Sequence, residues 1–314
     1  MTRFVLQGGL IMKRLFVIIL ASVLVLSLPA CFRPRNDTND KAPSNITDKN
    51  KDNADTEKEK NKTEDKDITI KEQVIYQGND IVVTVKGFNT ESIFGPEVKV
   101  LIENNSAKNI TVQTRKSSVN GLMAETMFSA EVAAGKKVND AITFMASELK
   151  AAGITTIKDI EFSLHIFETE SMDNIVDTDL IKLKTSVDDS FVQKFDDSGF
   201  TAYNADGIKV VVKEMNSSES FWGSDIYFYI ENNTAKDITV QARDLSVNGF
   251  MIEPMFSVDV VSGKKALDTM TFLESDLTEN DIKEINNLEF KLHIFDMDTW
   301  ETIKDTDIIK VTFE

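Results

Sequence analysis

Three kinds of side chain in this 314-residue chain could do chemistry: one thiol, two imidazoles and a surplus of carboxylates. Cys31 is the only cysteine, and it follows Leu28-Pro29-Ala30 at the end of an apolar run over residues 15–28. A lone thiol can be a nucleophile or accept a covalent group, but it cannot close a disulfide within the chain. His165 and His293 both sit in the tetrapeptide LHIF, with no cysteine or second histidine close by in sequence. Neither is expected to bind metal or to catalyse; each alternates with apolar neighbours and is expected on the outward face of a strand, partly exposed. The carboxylates gather in Asp177-Thr178-Asp179 and Asp305-Thr306-Asp307, the second with Asp296, Asp298 and Glu301 upstream. Calcium needs several oxygens held in one loop, and neither stretch has the glycine and terminal glutamate of an EF-hand. A solvated turn is the expected reading; the alternative is a weak cation site of Asp296, Asp298, Asp305 and Asp307.

The chain has no glycine-rich phosphate loop, HExxH, GxSxG or paired-cysteine motif. No catalytic residue and no cofactor is therefore assigned. Two loop segments carry large apolar side chains instead. Ile93-Phe94-Gly95 corresponds to Phe221-Trp222-Gly223, and Met172 corresponds to Trp300. Phe94, Phe221, Trp222, Met172 and Trp300 either contact a partner or fold over the open end of a core and plug it. Met123, Met127, Met251 and Met255 are read as core filling.

The leader positions Cys31. Lys13 and Arg14 precede an almost unbroken apolar run of 14 residues, 15–28. A bilayer-spanning helix needs roughly 20, so the pattern reads as a secretory signal. With Cys31 at its end, it resembles the lipobox of bacterial lipoproteins. That resemblance implies a diacylglycerol on Cys31, cleavage after residue 30, and a chain held on the outer face of a cell membrane. Met12 is an alternative start.

Residues 31–67 are nearly all charged or amide-bearing, and Ile46 is their only aliphatic side chain larger than alanine. Such a segment cannot bury enough apolar area to offset its ordering entropy, so it is expected to be a flexible tether. The net charge of the chain is −17, and removing Arg3, Lys13 and Arg14 with the leader makes the remainder more acidic. That argues against nucleic acid as a partner and against electrostatic binding to anionic lipid.

The remainder repeats itself. IENN at 102–105 returns 128 positions later at 230–233, and ITVQ, SVNG, GKK, LHIF and DTD return at the same offset. The unit is domain-sized, so this is duplication rather than a solenoid. The expected domains are 68–187 and 191–314. Each reads as β: residues 80–88 alternate, Asn120-Gly121 separates two apolar runs, and Ile160, Phe162, Leu164 and Ile166 share one face. One short helix is expected over 148–152, capped by Ser147 and stopped by Gly153. Asn104, Asn105, Asn232 and Asn233 are read as turn chemistry. Seven or eight strands with frequent turns per unit predict an all-β fold of two tandem immunoglobulin-like β-sandwiches, each with one short helix.

The order IENNSAKNITVQ, SVNG, a Met-Phe segment, AAGKK, a short acidic helix and IEFSLHIFE resembles bacterial domains of unknown function with telokin-like, immunoglobulin-like folds. These are common in Gram-positive lipoproteins. The resemblance covers both units and implies a surface location without catalytic residues. The expected role is a lipid-anchored, non-catalytic binding or structural protein contacting an envelope protein, a host protein or a wall polymer. The alternative is a small-ligand or cation-binding accessory module of a transporter or sensor.

Overall fold

A computed structural model describes residues 68–220 and 223–313, with the backbone alone for 214–220. The leader, the tether with Cys31, Phe221 and Trp222 lie outside the described residues. Residues Glu64–Glu314 form one compact unit.

The described chain is nearly all β. The first repeat contains β1 (Gln73–Gly78), β2 (Ile81–Asn89), β3 (Glu97–Asn104), β4 (Ile110–Val119), β5 (Leu122–Met123), β6 (Thr126–Met127), β7 (Ser129–Val132), β8 (Lys136–Phe144), helix α1 (Ala146–Ala151), β9 (Asp159–Glu168), β10 (Asn174–Asp177) and β11 (Ile181–Lys184). The second contains β12 (Phe200–Ala205), β13 (Ile208–Ser220), β14 (Gly223–Asn232), β15 (Ile238–Val247), β16 (Phe250–Met251), β17 (Ser257–Val260), β18 (Lys265–Leu273), helix α2 (Glu274–Glu279), β19 (Asn287–Asp296), β20 (Thr302–Asp305) and β21 (Ile309–Thr312).

Each repeat closes a core between two sheets. In the first, β1-β2-β3-β8-β6 faces β10-β9-β4-β5, with β7 beside β4 and β11 beside β9. Alternation puts Val98, Val100 and Ile102 of β3 on one wall, and Ile160, Phe162, Leu164 and Ile166 of β9 on the other. The second core repeats this with Ile226, Phe228 and Ile230 opposite Leu288, Phe290, Leu292 and Ile294.

The strands outnumber the expectation because two of them break. β10 and β11 both pair with β9, and the chain kinks between them at Thr178. There the Thr178 hydroxyl accepts the Leu164 N–H at 2.9 Å, in place of a ladder carbonyl. Thr306 does the same for Leu292. This explains the repeated Asp-Thr-Asp: its threonine completes a ladder across a kink. Residues 122–132 likewise split into β5, β6 and β7, which serve β4, β8 and β4 in turn.

Asn120 (φ 51°) and Gly121 (φ 85°) form the expected hairpin turn, as do Asn248 and Gly249. The helix start differs from the expectation. Met145 is the N-cap residue, Ser147 lies inside α1, and no side chain caps it. The Phe94 carbonyl accepts the Ala146 N–H at 2.9 Å instead. Gly95 allows that approach, since a Cβ there would lie 2.0 Å from the Phe144 carbonyl oxygen. The stop is as expected. Gly153 (φ +69°) donates to Lys150 O and Ile154 to Leu149 O, the Schellman pattern.

The asparagines do more than shape turns. Asn104 and Asn232 are completely buried. Asn104 Nδ2 donates to the carbonyls of Lys108 (2.7 Å) and Val132 (2.9 Å), while Oδ1 accepts from the Ser106 N–H and hydroxyl. Asn232 repeats all four bonds with Lys236, Val260 and Thr234. Each amide fastens a loop to a strand.

The two repeats touch through unlike faces. Leu122 of β5 pairs in parallel with Lys265 of β18, whose N–H donates to Gly121 O at 2.9 Å. Met123 packs against the second core and Leu267 against the first. Lys264 Nζ reaches Glu161 Oε1 at 2.6 Å, with both side chains mostly covered, and Lys116 Nζ reaches Asp237 Oδ2 at 2.6 Å.

Candidate functional site: loops, outer rows and an inter-repeat cleft

The pleat turns alternate residues of β9 outward and lines them up with neighbouring strands. Ser129, Gln113, His165 and Asp177 sit opposite one another across β7, β4, β9 and β10. His165 Nδ1 lies 2.7 Å from Asp177 Oδ1; the ionised carboxylate can only accept, so the imidazole donates. Ser257, Gln241, His293 and Asp305 form the same row, with 2.6 Å between His293 and Asp305. At Asp177, burial raises the carboxyl's pKa, but the His165 hydrogen bond and charge, with Arg115 and Asn174, carry it below the ordinary value. In each row the serine is two strands from the imidazole, roughly 10 Å away, and the intervening Gln113 or Gln241 donates to it. Such a row braces a sheet, and no hydroxyl in it is placed for the imidazole to activate. His293 is buried rather than partly exposed as expected. Phe295 packs beside it at 5.2 Å between ring centroids, as Phe167 does beside the half-buried His165 at 5.0 Å; the second repeat adds Trp300, stacked on Phe295.

Among the described residues, the loop side chains do not plug the cores. Phe94 is 61% exposed, and Met172 and Trp300 are each 67% exposed. Met172 (φ 62°) and Trp300 (φ 63°) occupy equivalent left-handed turn positions. Trp300 stacks on Phe295 at 5.5 Å and 17°. It therefore lies along the outer face of its sheet, extending the line from His293. The methionine expectation is overturned. Met127, Met251 and Met255 are exposed, and Met123 is half-buried at the joint. The apolar run after each Asn-Gly turn breaks into short edge strands, so only alternate residues such as Ile252 and Phe256 reach the core.

The acidic positions have separate occupations. Asp296 Oδ1 accepts the N–H groups of Asp298 (2.9 Å) and Thr299 (3.1 Å), and Oδ2 pairs with Lys236 at 2.8 Å. The Lys236 hydrogen bond, then the Thr299 N–H, hold its pKa down at about 2. The residue exposes little surface, but its cover is these partners rather than a deep core. Asp305 is bound to His293, while Asp298 and Asp307 are exposed. Among the described residues, no group of three or more His, Cys, Asp or Glu side chains is placed to hold a metal ion.

One feature was not legible in sequence. A cleft of about 720 Å³ opens where the repeats meet, lined by Lys116, Glu125 and Glu148 from the first and by Tyr227, Asp268 and Met297 from the second. Burial pushes the Glu148 carboxyl upward, and the charges of Glu125 and Asp268 add to the effect. Burial does the same at Asp268, again with Glu125 adding. The Asp268 side chain still meets solvent, because its crowded surroundings are the walls of an open cleft. Glu125 and Glu148 are separated from Asp268 by more than a hundred residues, so only docking of the repeats brings them together.

No protein-family model matches the chain, and no curated protein matches it. Among solved structures, a crystal structure of the YadV chaperone matches at 13% identity, covering 74% of this chain and 100% of that one, with a TM-score of 0.23. At that score the likeness carries no argument about role.

Proposed function

We propose that each repeat is an immunoglobulin-like β-sandwich, and that the protein is a lipid-anchored, non-catalytic binding or structural protein on the outer face of a bacterial membrane, of the Gram-positive type. The anchor rests on the leader pattern ending at Cys31. The binding reading rests on one observation: Phe94, Met172 and Trp300 present large apolar surface on loops whose backbones are held by hydrogen bonds and whose cores are already filled. Apolar side chains on a rigid frame lose little entropy when a partner covers them. The partner is an envelope protein, a host protein or a wall polymer. Cys31→Ser should abolish lipid labelling and membrane retention; continued labelling would sink the anchor. Trp300→Ala combined with Met172→Ala should weaken partner capture with little change in melting temperature. A fall of many degrees would instead make these side chains structural.

The cleft favours a second reading, a module for a small cationic ligand. Carboxylates whose ionised forms are poorly solvated gain most from an incoming cation. Polyamines should then raise the melting temperature by mass action, and Glu148→Gln should remove the shift. A flat response eliminates this reading.

A further inference from the structure

We infer that the exposed β16 edge of the second repeat is a docking surface for a second copy of this chain, which it engages head to tail through the β8 edge of that copy's first repeat. The internal joint shows how these elements dock. There β5, with Gly121 before it, lies along the start of β18, and Leu122 is only 3% exposed. The equivalents of Leu122 and Met123 are Phe250 and Met251, which form β16 after Gly249. β16 is an edge strand, with Phe250 47% and Met251 70% exposed. The face that one repeat buries against its neighbour is thus presented by the other repeat with none of the described residues packed over it as β18 packs over β5.

The receiving edge is duplicated as well. Lys264 and Lys265 correspond to Lys136 and Lys137 at the start of β8. The strands on β8 are β3 and, at its far end, β6, so among the described residues no strand occupies the outer edge at Lys137. The ion pair across the joint can recur too. Glu161 is shared between Lys182 and Lys264. Its equivalent, Glu289, holds among the described residues only the equivalent of the first, Lys310. Lys136 is exposed and has the sequence position of Lys264. Two features do not recur: Lys116 and Asp237 become Asp244 and Asn109, and Leu267 becomes Asn139. The contact between copies is therefore weaker than the internal joint. Because donor and acceptor faces differ, it is heterologous and extends into short chains. The inference does not depend on the lipid anchor.

Sedimentation velocity on the compact unit of residues 64–314 tests this. The unaltered protein should form a concentration-dependent series of oligomers. Met251→Asp removes the donor face and Lys136→Glu the acceptor face, and each alone should weaken association at least tenfold. Both sites are exposed, and unchanged melting temperatures will confirm folding. An equimolar mixture of the two variants should form a dimer and nothing larger, because one intact donor meets one intact acceptor. A monomer up to ~1 mM, the range of the weakest specific contacts, overturns the inference. So does undiminished association of either variant, which would place the contact elsewhere. A mixture that stays monomeric overturns the head-to-tail arrangement.

Discussion

Asn104 and Asn232 each fasten a loop to a strand from inside the protein. Each uses its whole hydrogen-bonding capacity in a fully buried site. Replacing Asn232 with Ala takes the side-chain donor from the buried Val260 carbonyl and leaves the Lys236 carbonyl with the Thr234 hydroxyl alone, at a cost of about 1–3 kcal/mol. Urea unfolding should show a lower midpoint with an unchanged slope. Asp296 makes a pH-dependent contribution. Its pKa falls from an ordinary 3.8 to about 2 in the folded chain, so its stabilisation is complete above 3.8 and is lost as pH drops towards 2. The gap in melting temperature between the unaltered protein and Asp296→Asn should therefore be widest at neutral pH and close near pH 2. The residue types of these sites were legible, since both recur at the same offset or sit in a repeated turn. Their partners were not, because Val260 and Lys236 reach them only through folding.

At the scale of elements, α1 and α2 end in the same Schellman geometry, but Gly153 is matched by Asp281 at φ 52°. An aspartate there bears a steric cost that glycine escapes. Asp281→Gly should stabilise the second repeat by about 0.5 kcal/mol, and Gly153→Asp should destabilise the first by a similar amount. Thermal melts of the two variants should move in opposite directions. The stop of α1 was readable from its glycine. Its start was not: Ser147 has the chemistry of a cap, but the carbonyl of Phe94 takes that place because Gly95 lets the preceding loop lie against the helix. The Met-rich runs misled for a related reason. Composition marks them apolar, yet a two-residue edge strand buries only what its neighbours cover.

For the whole molecule, the joint decides how the repeats behave together. Lys264 and Glu161 pair there at 2.6 Å under substantial cover. Removing one partner of such a pair leaves a poorly solvated charge, costing about 2–4 kcal/mol at this partly covered site. Calorimetry of Lys264→Met should separate a single transition into two, one for each repeat. Retention of one transition would mean that the parallel contact of β5 with β18 suffices to couple them. The same joint creates the cleft of Glu125, Glu148 and Asp268, which exists only while the repeats stay docked.

The sequence by itself determined the duplication, the β character, the hairpin at Asn120-Gly121 and the outward-facing histidines, because these follow from local periodicity and turn chemistry that act within a few residues. The tertiary structure alone decided which apolar side chains stay in water, which carboxylates meet, and that two equivalent edges, β5 and β16, end in different environments. Local sequences as similar as SVNGLM and SVNGFM cannot distinguish those two edges. What separates them is that, among the described residues, β5 lies against β18 of the other repeat while β16 has no strand beyond it.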